Sequence, residues 1–358
     1  MQARDIRTAF QSARAGGLRA KEAAESIDLS EGAAIAAHAG THEAPLHATP
    51  LRGDWLSLLQ SLEPCGPLMA LTRNETVVHE KTGVYQKLSA SGHVGLALGE
   101  DIDLRLFFAQ WHAGFAVSEA SKSQPGMGTP SLQFFDRHGV AVHKIYVREP
   151  TDLHAWRAVI EQHTDTTSAR AFVERAAPSA AVLPPSPDVN AFGNAWSAMT
   201  DTHQFFGLLK QFGLERQHSF RLVEGRFTHR VPTTALRDLL TEAAFDGTPI
   251  MVFVGSPGCI QIHTGPVRRI EPMEIHGKAW LNVLDAGFNL HLREDRIAHA
   301  WVVEKPTADG VVTSVEAFDD RGEPMAMFFG ARKPGQSELP AWRRIVAHLR
   351  QMRVEAPA

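Results

Sequence analysis

Apolar positions change their spacing twice along the first half of the chain. Leu18 to Ala24 and Ala33 to Ala39 draw on Ala, Glu and Lys, strong helix formers, and read as polar helices. Asp54 to Leu62 (DWLSLLQSL) is one amphipathic helix. From Leu68 to Tyr146, short apolar runs rich in β-branched and aromatic residues are cut by Gly, Asn and Asp. That texture predicts closely spaced strands and hairpins. Helical spacing returns from Asp152 to His163.

The order then repeats. A Pro/Ala/Ser stretch from Ala176 to Val189 is the best linker candidate. Beyond it, Ala195 to Phe212 and Thr233 to Ala244 are predicted helices, strands resume from Thr248, and a last helix runs from Leu339 to Val354. Residues repeat as well as texture. Gly17 aligns with Gly213, Thr82-Gly83 with Thr264-Gly265, and IDLRLFF at Ile102 with FNLHLRE at Phe288. SLQFFDRHG at Ser131 aligns with SVEAFDDRG at Ser314. The same order at a nearly constant offset predicts a tandem duplication. The expected boundaries are residues 1–178, a linker at 179–192, and residues 193–358. The expected class is α+β.

Composition narrows the functions. With 36 basic and 40 acidic residues the net charge is −4, which argues against a general nucleic-acid binder. Two cysteines, Cys65 and Cys259, exclude a disulfide scaffold and a four-cysteine metal site. The N-terminus lacks the apolar core of a signal peptide, and no apolar run reaches the roughly 18 residues a membrane span needs. Cytoplasmic residence, with no membrane embedding, is the expectation.

Candidate chemistry begins in WSAMTDTHQFFGLLKQFG, from Trp196 to Gly213. Phe205, Leu208, Leu209 and Phe212 recur at helical spacing and form the core stripe. On one continuous helix, His203 lies opposite that stripe, in the company of Trp196, Met199, Gly207 and Lys210. Gly207, one turn after His203, leaves room for a flat apolar ligand that contains a metal. A surface or interface histidine fits the same pattern. In EDIDLRLFF, strand alternation sends Ile102, Leu104, Leu106 and Phe108 one way, and Asp103, Arg105 and Phe107 the other. Arg105 and Phe107 suit a polar and aromatic wall over a ligand; mutual neutralisation of Asp103 and Arg105 is the plainer alternative. Cys259 and His263 lack a second metal-ligand pair, so Cys259 reads as a small buried hydrophobe. His38, His42 and His47 read as a solvated connector. The zincin, Walker A and Gly-x-Ser-x-Gly motifs are absent.

The segments NETVVHEKTGVY, GHVGLALGEDIDLRLFFAQWHAGFAV, SLQFFDRHGVAVHKIY, TDTHQFF, PGCIQIHTGPVRRIEPMEIHG, WLNVLDAGFNLHLRED and VVEKPTADGVVTSVEAFD resemble the cytoplasmic hemin-degrading factor family. This is the HemS/ChuS/PhuS type found with bacterial haem-uptake systems. The resemblance implies a duplicated α+β unit, each half an antiparallel sheet with flanking helices, the two large sheets stacked centrally. It implies haem b as ligand, with His203 of the D-x-H-x-F motif as axial ligand to the iron. Arg105 falls on the Arg across the haem, also the candidate catalytic group, and Phe107 lies against the ring. Arg216, Lys305 and Arg332 fall on the basic residues that hold the propionates, and Trp196 and Met199 are expected to cover the porphyrin. One departure is visible: MAMFFGAR places Met327 and Phe329 where the family often has Gln and Tyr at the haem edge. The implied partners are an inner-membrane haem importer and a downstream haem acceptor or electron donor. Two functions follow from one site, haem trafficking and reductive, oxygen-dependent haem degradation.

Overall fold

The computed structural model describes residues 2–120, 128–166, 171–174, 187–333 and 335–354. The predicted linker lies mostly outside these residues, as does most of the loop from Ser121 to Pro130. The chain forms two compact units. The first comprises Met1–Arg73, His79–Ala177 and Gly255–Gln261; the second comprises Asn74–Val78, Pro178–Val254 and Ile262–Ala358.

The first unit carries helices α1 (Ala3–Ala15), α2 (Ala20–Glu25), α3 (Glu31–Ala36), α4 (Trp55–Gln60) and α5 (Leu153–His163). Its strands are β1 (Leu46–Pro50), β2 (Leu68–Arg73), β3 (Val77–Gly83), β4 (Leu88–Ser91), β5 (Val94–Leu98), β6 (Asp103–Phe107), β7 (Ala113–Glu119), β8 (Ser131–Phe135) and β9 (Ala141–Val147). The antiparallel order runs β1-β7-β8-β9-β2-β3, and β4-β5-β6 is a further antiparallel ladder that pairs Leu96 with Arg105. Capping fixes two helix starts: Asp54 accepts from Ser57 N, and Asp152 accepts from His154 N and Ala155 N. Trp55, Leu58, Trp111, Phe134 and Trp156 form the core between helices and sheet.

The second unit repeats that plan. Its helices are α6 (Val189–Ser197), α7 (Gln204–Phe212), α8 (Arg216–Leu222), α9 (Ala235–Asp246) and α10 (Pro340–Gln351). Its strands are β10 (Thr228–Val231), β11 (Ile250–Gly255), β12 (Cys259–Gly265), β13 (Ile270–Ile275), β14 (Lys278–Asp285), β15 (Phe288–Arg293), β16 (His299–Thr307), β17 (Gly310–Phe318) and β18 (Pro324–Gly330). The order runs β10-β16-β17-β18-β11-β12, the counterpart of the first unit's, and β13-β14-β15 is the matching ladder. Antiparallel sheets with flanking helices in a duplicated arrangement are the expected class.

Alternation along β16 explains why this sheet is covered twice. Ala300 and Val302 point into a core with α9 and α10, among Leu236, Leu240 and Trp342. Trp301 and Val303 point into another with α6 to α8, among Phe192, Phe205, Leu208 and Phe220. Lys305 continues the second set.

One predicted element is corrected. The helix expected from Ala195 to Phe212 is broken into α6 and α7. Gln204 Oε1 accepts from Thr200 N at 2.8 Å, and Asp201 Oδ1 accepts from His203 N at 2.8 Å. Side chains thus take amides that a continuous helix would have bonded to its own carbonyls. The connector expected around His38, His42 and His47 is also more ordered than predicted. His38 is buried with its Nδ1 2.8 Å from Ala34 O, His42 stacks on His47, and His47 lies in β1.

Candidate functional site

His203 stands immediately before α7, at its N-cap position. Its side chain is 90% exposed, and its Nδ1 lies 2.6 Å from Asp201 Oδ1. The two hydrogen bonds from His203 hold the Asp201 carboxyl below the usual carboxylate range, and the nearby Arg332 charge acts in the same direction. With Nδ1 committed, Nε2 is the ring atom left for a ligand. The outer face of α7 continues this surface: Phe206 is 78% exposed, and a side chain at Gly207 would meet only open space.

The core face of α7 leads to a charge cluster. Phe205, two residues after His203, lies under both the Arg216 guanidinium, at 5.1 Å, and the Lys305 ammonium, at 5.0 Å. Both cations converge on Glu316 in β17. Arg216 grips it through Nε (2.6 Å) and a terminal nitrogen (2.8 Å), and Lys305 Nζ reaches it at 3.0 Å. Ser314 adds a hydroxyl donor at 2.8 Å. Burial alone would push the Glu316 carboxyl up, but Arg216 and Lys305 outweigh it and hold the group far below the usual glutamate range. Burial pushes Lys305 down to about 8, and Arg216 adds to this against the pull of Glu316. Two cations and one carboxylate leave the cluster one positive charge in excess. Met327, one of the departures noted in the sequence, offers its sulfur to Arg216 at 3.3 Å. Phe329 is half-buried against Phe253.

These geometries change several sequence-based roles. Trp196 and Met199 do not share a helix face with His203, because the break between α6 and α7 removes the continuous wheel. Both are buried among Phe192, Phe205 and Phe220, and Trp196 donates its indole N–H to Glu304 O at 2.9 Å. They are core, and the expectation that they cover a ligand is corrected. Lys305 is likewise a buried partner of Glu316, while Arg216 keeps 27% of its side chain exposed. Arg332 is partly exposed, lies 3.9 Å from Asp309, and donates to Gln336 O.

In the first unit, β6 alternates as expected: Leu104 and Leu106 are fully buried, and Asp103, Arg105 and Phe107 are partly exposed. Arg105 pairs with Asp103, the plainer of the two sequence readings. Cys259 is buried in the first unit's core, its thiol pushed up to about 12 by burial, as its reading as a small hydrophobe requires. Among the described residues no cluster of three or more His, Cys, Asp or Glu is placed to hold a metal ion. Two recesses in the second unit share His299 and contain none of the predicted site residues.

Sequence reading missed Glu316, and it left open whether Asp201, two residues before His203, orients that ring. Glu316 left a faint signal, the one charged residue in the strand segment VTSVEAF, opposite a strand that carries Lys305.

Comparison with known proteins brings these features together. The haemin-degrading HemS.ChuX domain matches twice, over residues 28–163 and 213–349. The chain belongs to this family. The hemin transport protein HemS of Yersinia enterocolitica is 40% identical over 318 residues, covering 88% of this chain and 90% of that protein. Among solved structures, holo-PhuS, a heme-binding protein from Pseudomonas aeruginosa, is 41% identical with a TM-score of 0.90, covering 99% of this chain and 100% of that one. ChuS, described as an E. coli heme oxygenase, is 36% identical with a TM-score of 0.85 over 96% and 99% of the two chains. The double match agrees with two successive copies of one ancestral unit.

Proposed function

We propose that this chain binds haem through His203 and carries it onward after import, as a cytoplasmic step in iron utilisation. The observation that carries the reading is the imidazole itself. It is exposed, its Nδ1 is held by Asp201, and its Nε2 is the ring nitrogen left for a ligand. That donor suits haem iron, which a neutral imidazole nitrogen would hold. Relatives named as hemin transport and heme-binding proteins supply the ligand class; haem b is the form we assign.

Arg216 and Arg332 suit the ligand's carboxylates, since both are partly exposed guanidinium groups on the same unit as His203. Lys305 acts with them through the net charge of its cluster. Arg105 and Phe107 are the haem contacts we assign to the first unit, on the partly exposed side of β6. The partners this function requires are an inner-membrane importer and a cytoplasmic acceptor. Haem degradation, with an electron donor in place of the acceptor, is the second reading. It is favoured by the matched domain's description as haemin-degrading and by ChuS.

The test is a titration of the purified protein with hemin, followed by absorbance, then a reductant in air. A saturating one-to-one Soret shift that His203→Ala alters or abolishes supports the binding site; an identical spectrum and affinity in His203→Ala rejects it. A Soret band that then decays in an oxygen-dependent, catalase-resistant way with iron release assigns degradation. A stable band whose haem passes to an acceptor assigns transport.

A further inference from the structure

We infer that Asp201 is a positioning residue that locks His203 in the tautomer with its proton on Nδ1, and so makes His203 a stronger donor to ferric than to ferrous haem iron. This rests on the reading of His203 as the haem ligand.

A neutral imidazole carries one N–H and one lone pair, and its surroundings decide which nitrogen has which. Asp201 Oδ1 sits 2.6 Å from His203 Nδ1. An ionised carboxylate only accepts, so Nδ1 holds the proton and the lone pair is at Nε2. The carboxylate is not in place by accident of a surface rotamer. The same Oδ1 accepts the His203 backbone N–H at 2.8 Å, so Asp201 is held by the backbone of the residue whose ring it orients. Gln204 clamps the other side of the turn by accepting from Thr200 N at 2.8 Å and Asp201 N at 3.3 Å. Asp201, His203 and Gln204 therefore form one hydrogen-bonded turn at the break in the helix.

A carboxylate bonded to the far nitrogen of a metal-binding histidine raises the basicity of the ligating nitrogen, and loss of such a partner typically costs 10–100-fold in affinity. A more basic nitrogen stabilises the more highly charged iron to a greater degree. The chemical selectivity built into this turn is therefore for oxidised haem.

The experiment has two arms. In the haem-free protein, nitrogen-15 NMR of the His203 ring is expected to show a protonated Nδ1 and an unprotonated Nε2 in the neutral state. Asp201→Ala is expected to shift the ring toward the Nε2-protonated form. In the haem-loaded protein, Asp201→Asn keeps an oxygen acceptor but removes the charge. Its affinity for hemin is expected to fall about tenfold relative to its affinity for reduced haem, which corresponds to a rise of about 59 mV in the one-electron reduction potential. A wild-type tautomer in Asp201→Ala, or an unchanged potential in Asp201→Asn, overturns the inference. The failure of the haem-binding reading looks different: hemin binding is then unaffected by His203→Ala, whatever the tautomer measurement gives.

Discussion

Glu316 is the residue on which the second unit's buried charge depends. It is fully buried, and it neutralises a lysine that is itself almost completely buried. Removing one partner of such a pair leaves an uncompensated charge in a poor solvent, so Glu316→Gln is expected to cost about 3–5 kcal/mol in urea unfolding. The pH dependence follows from the depressed carboxyl. The folded form titrates below the 4.5 of an ordinary glutamate, so its stabilisation is complete above that pH and is lost as the pH falls further. Glu316→Gln should abolish this part of the acid slope; an unchanged slope would show that other carboxylates produce it. At this scale the sequence was informative where a residue broke the local pattern. His203 stands out beside the aromatic run that follows it, whereas Arg216, set between Glu215 and Gln217, came only through the resemblance to the family. The pairing of Lys305 with Glu316 is set by strand register across a hairpin, which the sequence does not print.

The element most exposed to test is α7. Its first turn is held by side chains, and its outer face carries His203, Phe206 and Gly207. Gly207 has a helical position with no neighbour within reach of a Cβ. Gly207→Ala is therefore expected to raise stability by about 0.5–1 kcal/mol through helix propensity. Gly207→Trp, equally tolerated by the fold, is expected to weaken hemin binding at least tenfold if the ligand lies along this face. Thermal melts and a Soret titration of the two variants separate the effects. Most elements were legible because their signals are local: the helices expected from Asp54 and Asp152 begin there, with those residues as caps, and the β6 alternation holds residue by residue. The break before α7 was not. Phe205, Leu208, Leu209 and Phe212 keep perfect helical phase, and the interruption depends on Asp201 and Gln204 competing for backbone amides, which periodicity does not register.

For the whole molecule, acid stability is set partly by histidines that fold neutral. His143 is buried with Nε2 2.7 Å from the Tyr85 hydroxyl and Nδ1 2.9 Å from the Thr72 hydroxyl. Burial pushes its pKa from 6.5 down to about 3. Between these values the unfolded chain binds the extra proton, so this contribution is present above pH 6.5 and is lost as the pH falls toward 3. The melting temperature is expected to decline already below pH 6.5, before the carboxylates titrate. Tyr85→Phe should cost about 1–3 kcal/mol by leaving His143 Nε2 without its partner. The duplication was legible because repeated order survives substitution. The way each unit borrows a short segment from the other half of the chain was not, since nothing in Asn74–Val78 or Gly255–Gln261 names the half with which it packs.

That borrowing has a consequence for how the protein is made. The core of the first unit includes Cys259, which packs beside Thr72 and His143. On the ribosome, residues up to Ala177 emerge well before Gly255–Gln261. The earlier half must wait, with a gap in its interior, until much of the later half has been translated. Coexpression of the two halves as separate polypeptides should therefore rescue folding that neither half achieves alone.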